Sequence, residues 1–218
     1  MLPRIKICCI GSKEEAQLAI RYGAAALGLV GHMPSGPGVI PDALIAEIAQ
    51  EIPPPIASFL LTSETNVQEI IAHHAKVRTN TLQIVDALTE GSYADIRAAL
   101  PTVRLVQVIH VADEHSLDEA LSIAPQVDAI LLDSGNPNLA IKELGGTGRT
   151  HNWAISRQIR AQCGKPVFLA GGLHAANVRQ AIEAVEPFGL DLCSGVRTDG
   201  QLDERKLAAF FEAAWGLG

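Results

Sequence analysis

The segment PVFLAGGLHAANVRQAIEAVEPFGLDLCSGV, residues 166–196, decides the fold. An apolar run, Pro166–Ala170, leads through Gly171-Gly172 into a helix-periodic stretch, Ala176–Val185, and then into a second apolar run, Gly189–Cys193, closed by Ser194-Gly195. Runs that are apolar throughout, instead of alternating, suit parallel strands covered on both faces, and the amphipathic stretch between them reads as a crossover helix. Outward from this unit the same pattern repeats. Strands are predicted at Arg4–Ile10, Ala26–Val30, Ile56–Leu61, Thr81–Val85, Val103–Val111 and Ala129–Asp133. Helices are predicted at Lys13–Tyr22, Asp42–Gln50, Asn66–Ala75, Tyr93–Leu100, Ser116–Ile123, Trp153–Cys163 and, at the end of the chain, Glu204–Trp215. Ser12-Lys13-Glu14-Glu15 reads as a capping box, Gly23 as a helix stop, and Pro101 closes the fourth helix. Strict βα alternation gives either an open doubly wound sheet or a closed barrel. Eight units in 218 residues, with no linker and no shift of composition, predict a single (βα)₈ TIM barrel over residues 1–218.

Composition narrows the functions. Hydrophobic residues make up 48% of the chain, enough for a large core, and the net charge of -7 without a basic tract argues against nucleic acid as a partner. No apolar run approaches the roughly 18 residues of a membrane span, and the opening MLPRIKICCIGSKEE has no signal-peptide core, so a cytoplasmic chain is expected. The four cysteines, Cys8, Cys9, Cys163 and Cys193, lack the spacing of a zinc site or a disulfide framework, and no metal is expected.

In such a barrel the working residues lie at the C-terminal ends of the strands and in the loops that follow. That rule selects Cys8 and Cys9, Gln83–Asp86, His110 and Asp133, together with the loop over residues 32–39 and the glycine loops 145–148, 171–172 and 194–195. Glycine lets backbone N–H groups approach an anion, and the loops after the last two strands are where barrels frequently hold a substrate phosphate. Gly146, Gly148, Gly171, Gly172, Ser194 and Gly195 are therefore the expected phosphate cradle. Asp133, at the end of an apolar strand, suits a general acid, and Cys8 suits a base if positive charge nearby favours its thiolate. Alternation by two puts Lys6 on the face of Cys8 and turns Cys9 to the other. His73, His74 and Trp215 fall on outer helices and read as structural.

Taken in order, Ile5-Lys6-Ile7-Cys8, Leu132-Asp133-Ser134, Gly145-Gly146-Thr147-Gly148 with Trp153, Ala170-Gly171-Gly172-Leu173 with Asn177-Val178, and Ser194-Gly195-Val196 resemble the phosphoribosylanthranilate isomerase family of tryptophan biosynthesis. The resemblance runs from end to end of the chain. It implies an Amadori rearrangement of a small phosphosugar substrate without a cofactor, with Asp133 as the general acid that opens the furanose ring and Cys8 as the base that removes the C2′ proton.

The departures from the family pattern cluster on one side. The family's arginine after the second strand is absent from Pro34-Ser35-Gly36-Pro37-Gly38, and its Gln-Leu-His-Gly after the fourth strand reads Gln83-Ile84-Val85-Asp86. Cys9 replaces a glycine, Phe-Asp-Trp reads His151-Asn152-Trp153, with Asn152 still able to cap a helix, and Arg197 replaces a glutamate after Ser-Gly-Val. Arg197 follows the cradle by two residues and is expected to meet the phosphate. Gln83 is expected to contact the substrate, and His32, His110 and Arg149 are further candidate cations. Three readings stay open: the isomerase, a paralogue acting on another phosphosugar-linked amine, and a phosphometabolite-binding barrel without turnover.

Overall fold

The computed structural model describes residues 2–136, 139, 142–146 and 148–216. Eight parallel strands close into a barrel in sequence order: β1 (Arg4–Ile7), β2 (Ala26–Val30), β3 (Ala57–Thr62), β4 (Thr81–Ile84), β5 (Arg104–His110), β6 (Ala129–Asp133), β7 (Val167–Leu169) and β8 (Gly189–Leu192). Closure is made by β1 against β8, with Lys6 opposite Asp191. The outer ring is α1 (Lys13–Arg21), α2 (Asp42–Glu51), α3 (Val67–Val77), α4 (Tyr93–Ala99), α5 (His115–Ile123), α6 (Trp153–Gln162), α7 (Val178–Val185) and α8 (Glu204–Trp215). A short antiparallel hairpin, β9 (Arg197–Thr198) with β10 (Gln201–Leu202), precedes α8.

Alternation along each strand sorts the core into two layers. Ile5 and Ile7 of β1, Leu27 and Leu29 of β2 and Leu190 and Leu192 of β8 face the helices and pack against Ile45, Ile70, Ile159 and Phe210. The opposite set (Ala26, Phe59, Val106, Val108, Leu131 and Phe168) fills the barrel, with the Phe59 and Phe168 rings edge-on at 6.0 Å. Lys6 belongs to this inner set and is fully buried, its Nζ 5.2 Å from the centre of the Phe59 ring. The helices are capped as their sequences suggest: Asn66, Ser92, Asn152 and Asp203 each accept a backbone N–H of the first turn.

Two local expectations need correction. The predicted first strand runs to Ile10, but β1 ends at Ile7 because Cys9 takes a left-handed backbone, φ 61°. The chain turns there, so Cys8 and Cys9 lie in the loop beyond the sheet. The predicted capping box at α1 is half formed. Ser12 Oγ accepts the Glu15 N–H at 3.2 Å, whereas the Glu15 carboxylate turns away to Arg197, Gly11 and Leu202.

Candidate active site

The C-terminal end of the barrel opens into a cavity continuous with solvent. Cys8, Gln83, Asp133, Gly146, Gly148, Gly171, Gly172 and Ser194 all line it, so one cavity gathers most of the candidates scattered along the sequence. Thr147, part of the same glycine motif, lies outside the described residues.

The floor is ionic. Lys6 Nζ donates to Asp191 Oδ1 at 2.8 Å, two charges removed from water that require each other. Burial alone would drive the Lys6 ammonium toward the neutral amine, but Asp191 and then Cys8 reverse this and its pKa is raised. Cys8 stands next along the chain on the same face. A hydrogen bond from the Cys9 thiol pulls the Cys8 pKa down against the effect of burial, and the Lys6 charge adds to the pull. Cys9, hydrogen-bonded to Cys193 and Cys8, is held well above its ordinary value and remains a thiol. Asp133 lies across β7 and β8 from β1. Burial raises its pKa, opposed by the Ser134 N–H that donates to Oδ1 at 2.8 Å. The cavity thus holds a thiol pushed toward thiolate and a carboxyl pushed toward its acid form.

The far wall is backbone. Gly172 has φ 61°, and a Cβ there would stand 2.8 Å from Thr150 N and 2.9 Å from Gly148 O, so the loop after β7 packs directly on the loop after β6. At Gly195 a Cβ would fall 1.9 Å from Leu173 O, so the loop after β8 is pressed equally close. Asn177 fixes the middle loop: its Nδ2 donates to Gly172 O and its Oδ1 accepts the His174 N–H, both at 2.9 Å. Gly195 itself does not line the cavity. Expected to bind phosphate, it packs closely on Leu173 of the loop after β7.

Arg197 also departs from expectation. Its guanidinium is buried and both terminal nitrogens are engaged away from the cavity, donating to both Glu15 oxygens at 2.9 Å, to Gly200 O at 2.9 Å, and to Cys8 O and Cys9 O, while Nε has no partner. It braces the turn that carries the thiols and does not reach the cradle. Cys9, expected to face away from Cys8, lines the same cavity, because the strand has ended and its positive φ swings the side chain inward. Gln83 is placed as expected, with its Oε1 buried and without a hydrogen-bond partner.

The other candidates lie apart. His110 Nε2 contacts Val85 O at 3.0 Å, His32 is exposed, and Arg149 pairs with Glu143. The Lys6–Asp191 pair and the Glu15–Arg197 brace were not found by sequence reasoning beyond the shared face of Lys6 and Cys8. Their signal in the sequence is a lysine inside an otherwise apolar strand. Among the described residues no group of three His, Cys, Asp or Glu side chains is arranged to hold a metal ion.

A closed βα barrel with an acid and a thiol lining one cavity beside glycine-rich loops defines a class: a barrel built for proton-transfer chemistry on an anionic small molecule. Comparison with known proteins narrows that class. The sequence model of the N-(5'phosphoribosyl)anthranilate (PRA) isomerase family matches residues 5–213, and this chain belongs to that family. N-(5'-phosphoribosyl)anthranilate isomerase 2 of Methanosarcina mazei is 34% identical over 97% of this chain and 93% of its own. The crystal structure of phosphoribosyl anthranilate isomerase from Thermotoga maritima superposes with a TM-score of 0.81 at 28% identity, covering 98% of this chain and 99% of that one. A phosphoribosyl anthranilate isomerase solved in complex with reduced 1-(o-carboxyphenylamino)-1-deoxyribulose 5-phosphate superposes at 0.79 with 26% identity, over 98% of this chain and 99% of that one.

Proposed function

We propose that this chain converts N-(5'-phosphoribosyl)anthranilate to 1-(2-carboxyphenylamino)-1-deoxyribulose 5-phosphate, an aldose–ketose (Amadori) isomerisation of tryptophan biosynthesis carried out in the cytoplasm. Family membership supports the reaction. The observation that carries the assignment of roles is that Asp133 and Cys8 face one cavity with opposite displacements of their proton affinities. The 5'-phosphate rests against the backbone of the loops after β6, β7 and β8, where N–H groups meet an anion without a charged side chain. In this reading the sugar lies between acid and base.

Asp133, protonated because its carboxyl is buried, gives its proton to the ring oxygen, and the C1′–oxygen bond opens to a Schiff base. The Cys8 thiolate then removes the proton from C2′. The resulting enolamine tautomerises to the ketone. One acid and one base suffice for this sequence, without a cofactor. Lys6 holds the charge balance beneath Cys8 and is itself fixed by Asp191. The test is growth of a tryptophan auxotroph lacking its own isomerase. Expression of this chain restores growth, whereas failure to do so, with no ketose product in a mass-spectrometric assay of purified protein, overturns the proposal.

A further inference from the structure

With the phosphate against the loops after β7 and β8 and the sugar between Cys8 and Asp133, the wall left for the amine half is Val30, Met33, Leu61 and Leu144, with Ser35 and Gln83 as its polar members. Among the described residues no Lys, Arg or His side chain lines the cavity. The remaining residues of the loop after β6, Pro137, Asn138, Ala140, Ile141 and Thr147, carry no charge in the sequence. Of the cations of the surrounding loops, Lys142 pairs with Asp86, Arg149 with Glu143 and Lys6, beneath the floor, with Asp191, while His32 is exposed and does not line the cavity. The two carboxyl side chains that line the cavity, Asp133 and Asp191, offer no positive charge. A carboxylate brought to this wall loses water without gaining an opposing charge.

We propose that this chain recognises the amine half of its substrate by apolar contact, without pairing a carboxylate, so that its substrate class is the N-(5-phosphoribosyl) arylamines, carboxylated or not. The proposal rests on the isomerase reading for the placement of phosphate and sugar. A bidentate cation–carboxylate contact of ordinary strength would separate the two kinds of substrate by about 10²-fold or more. Contact with an apolar wall leaves them within about tenfold.

The experiment uses two matched pairs. The adducts of ribose 5-phosphate with anthranilate and with aniline are compared in kcat/KM, and the corresponding reduced, unreactive 1-arylamino-1-deoxyribitol 5-phosphates are compared in Kd by calorimetry. Values within about tenfold across each pair support the proposal. A carboxylated analogue bound, or turned over, more than about tenfold better overturns it. Equal Kd values without turnover of either adduct support this inference and remove the isomerase reading, so the two fail separately.

Discussion

Replacing Arg197 by Met keeps the length of the side chain and deletes its charge, and this separates a brace from a phosphate ligand. Both Glu15 oxygens accept from the Arg197 guanidinium at 2.9 Å, and the two side chains are 7% and 17% exposed. Burial would raise the Glu15 carboxyl, but Arg197 and the N–H groups of Gly11 and Leu202 hold it below its ordinary value. Without the guanidinium, a mostly buried carboxylate keeps only two neutral donors, and the carbonyls of Cys8, Cys9 and Gly200 lose theirs. Breaking a buried pair on one side costs about 3–5 kcal/mol, and the residual exposure of Glu15 favours the lower end, about 3 kcal/mol. For a chain of this size that lowers Tm by about 6–12 °C. Thermal unfolding of Arg197→Met, Glu15→Gln and the double variant measures it. The double variant is expected to lose at least about 1 kcal/mol less than the sum of the single losses. An unchanged Tm together with weakened binding of inorganic phosphate would refute the brace and restore Arg197 to the cradle.

Two further variants probe the thiols and the acid limb of stability. Cys9→Gly relieves a left-handed residue at φ 61° but empties a buried position, and the two effects are expected to offset to within about 1 kcal/mol in thermal unfolding. By removing the thiol that hydrogen-bonds Cys8, it should also move the midpoint of Cys8 alkylation by iodoacetamide to higher pH, and an unmoved midpoint would mean that Cys9 does not tune Cys8. His151 is pushed down to about 4 by burial, below its ordinary value of 6.5, with Nε2 on Ser156 Oγ at 2.7 Å and Nδ1 unpartnered. The unfolded chain therefore binds the extra proton first, and stability present above pH 6.5 is lost as pH falls toward 4, by up to about 3 kcal/mol. His151→Gln should flatten that part of a Tm-against-pH curve, and an unchanged slope would reject the assignment.

The order of strands and helices was legible in the sequence because each element carries its own period, and the glycine loops were legible because the barrel rule says where to look. The observed helices begin and end within about two residues of their predicted bounds, as at Glu204–Trp215 and Trp153–Gln162. What stayed hidden depends on contacts between distant residues. Ser12 to Glu15 has every local mark of a capping box, yet Glu15 answers a guanidinium 182 residues away. The Lys6–Asp191 pair spans 185 residues and becomes evident only when β1 closes on β8. Cys9 was misdirected because alternation holds only while a strand continues, and here the strand stops one residue before Cys8.

The account stands most directly on the kcat of Cys8→Ala and Asp133→Asn with N-(5'-phosphoribosyl)anthranilate, measured beside the Kd of each variant for inorganic phosphate. Loss of a general base or acid is expected to lower kcat by about 10²–10⁴ in each case, with phosphate binding unchanged because the glycine-walled cradle is untouched. A kcat within about threefold of the parent in either variant would contradict the assignment of proton transfer to these two groups.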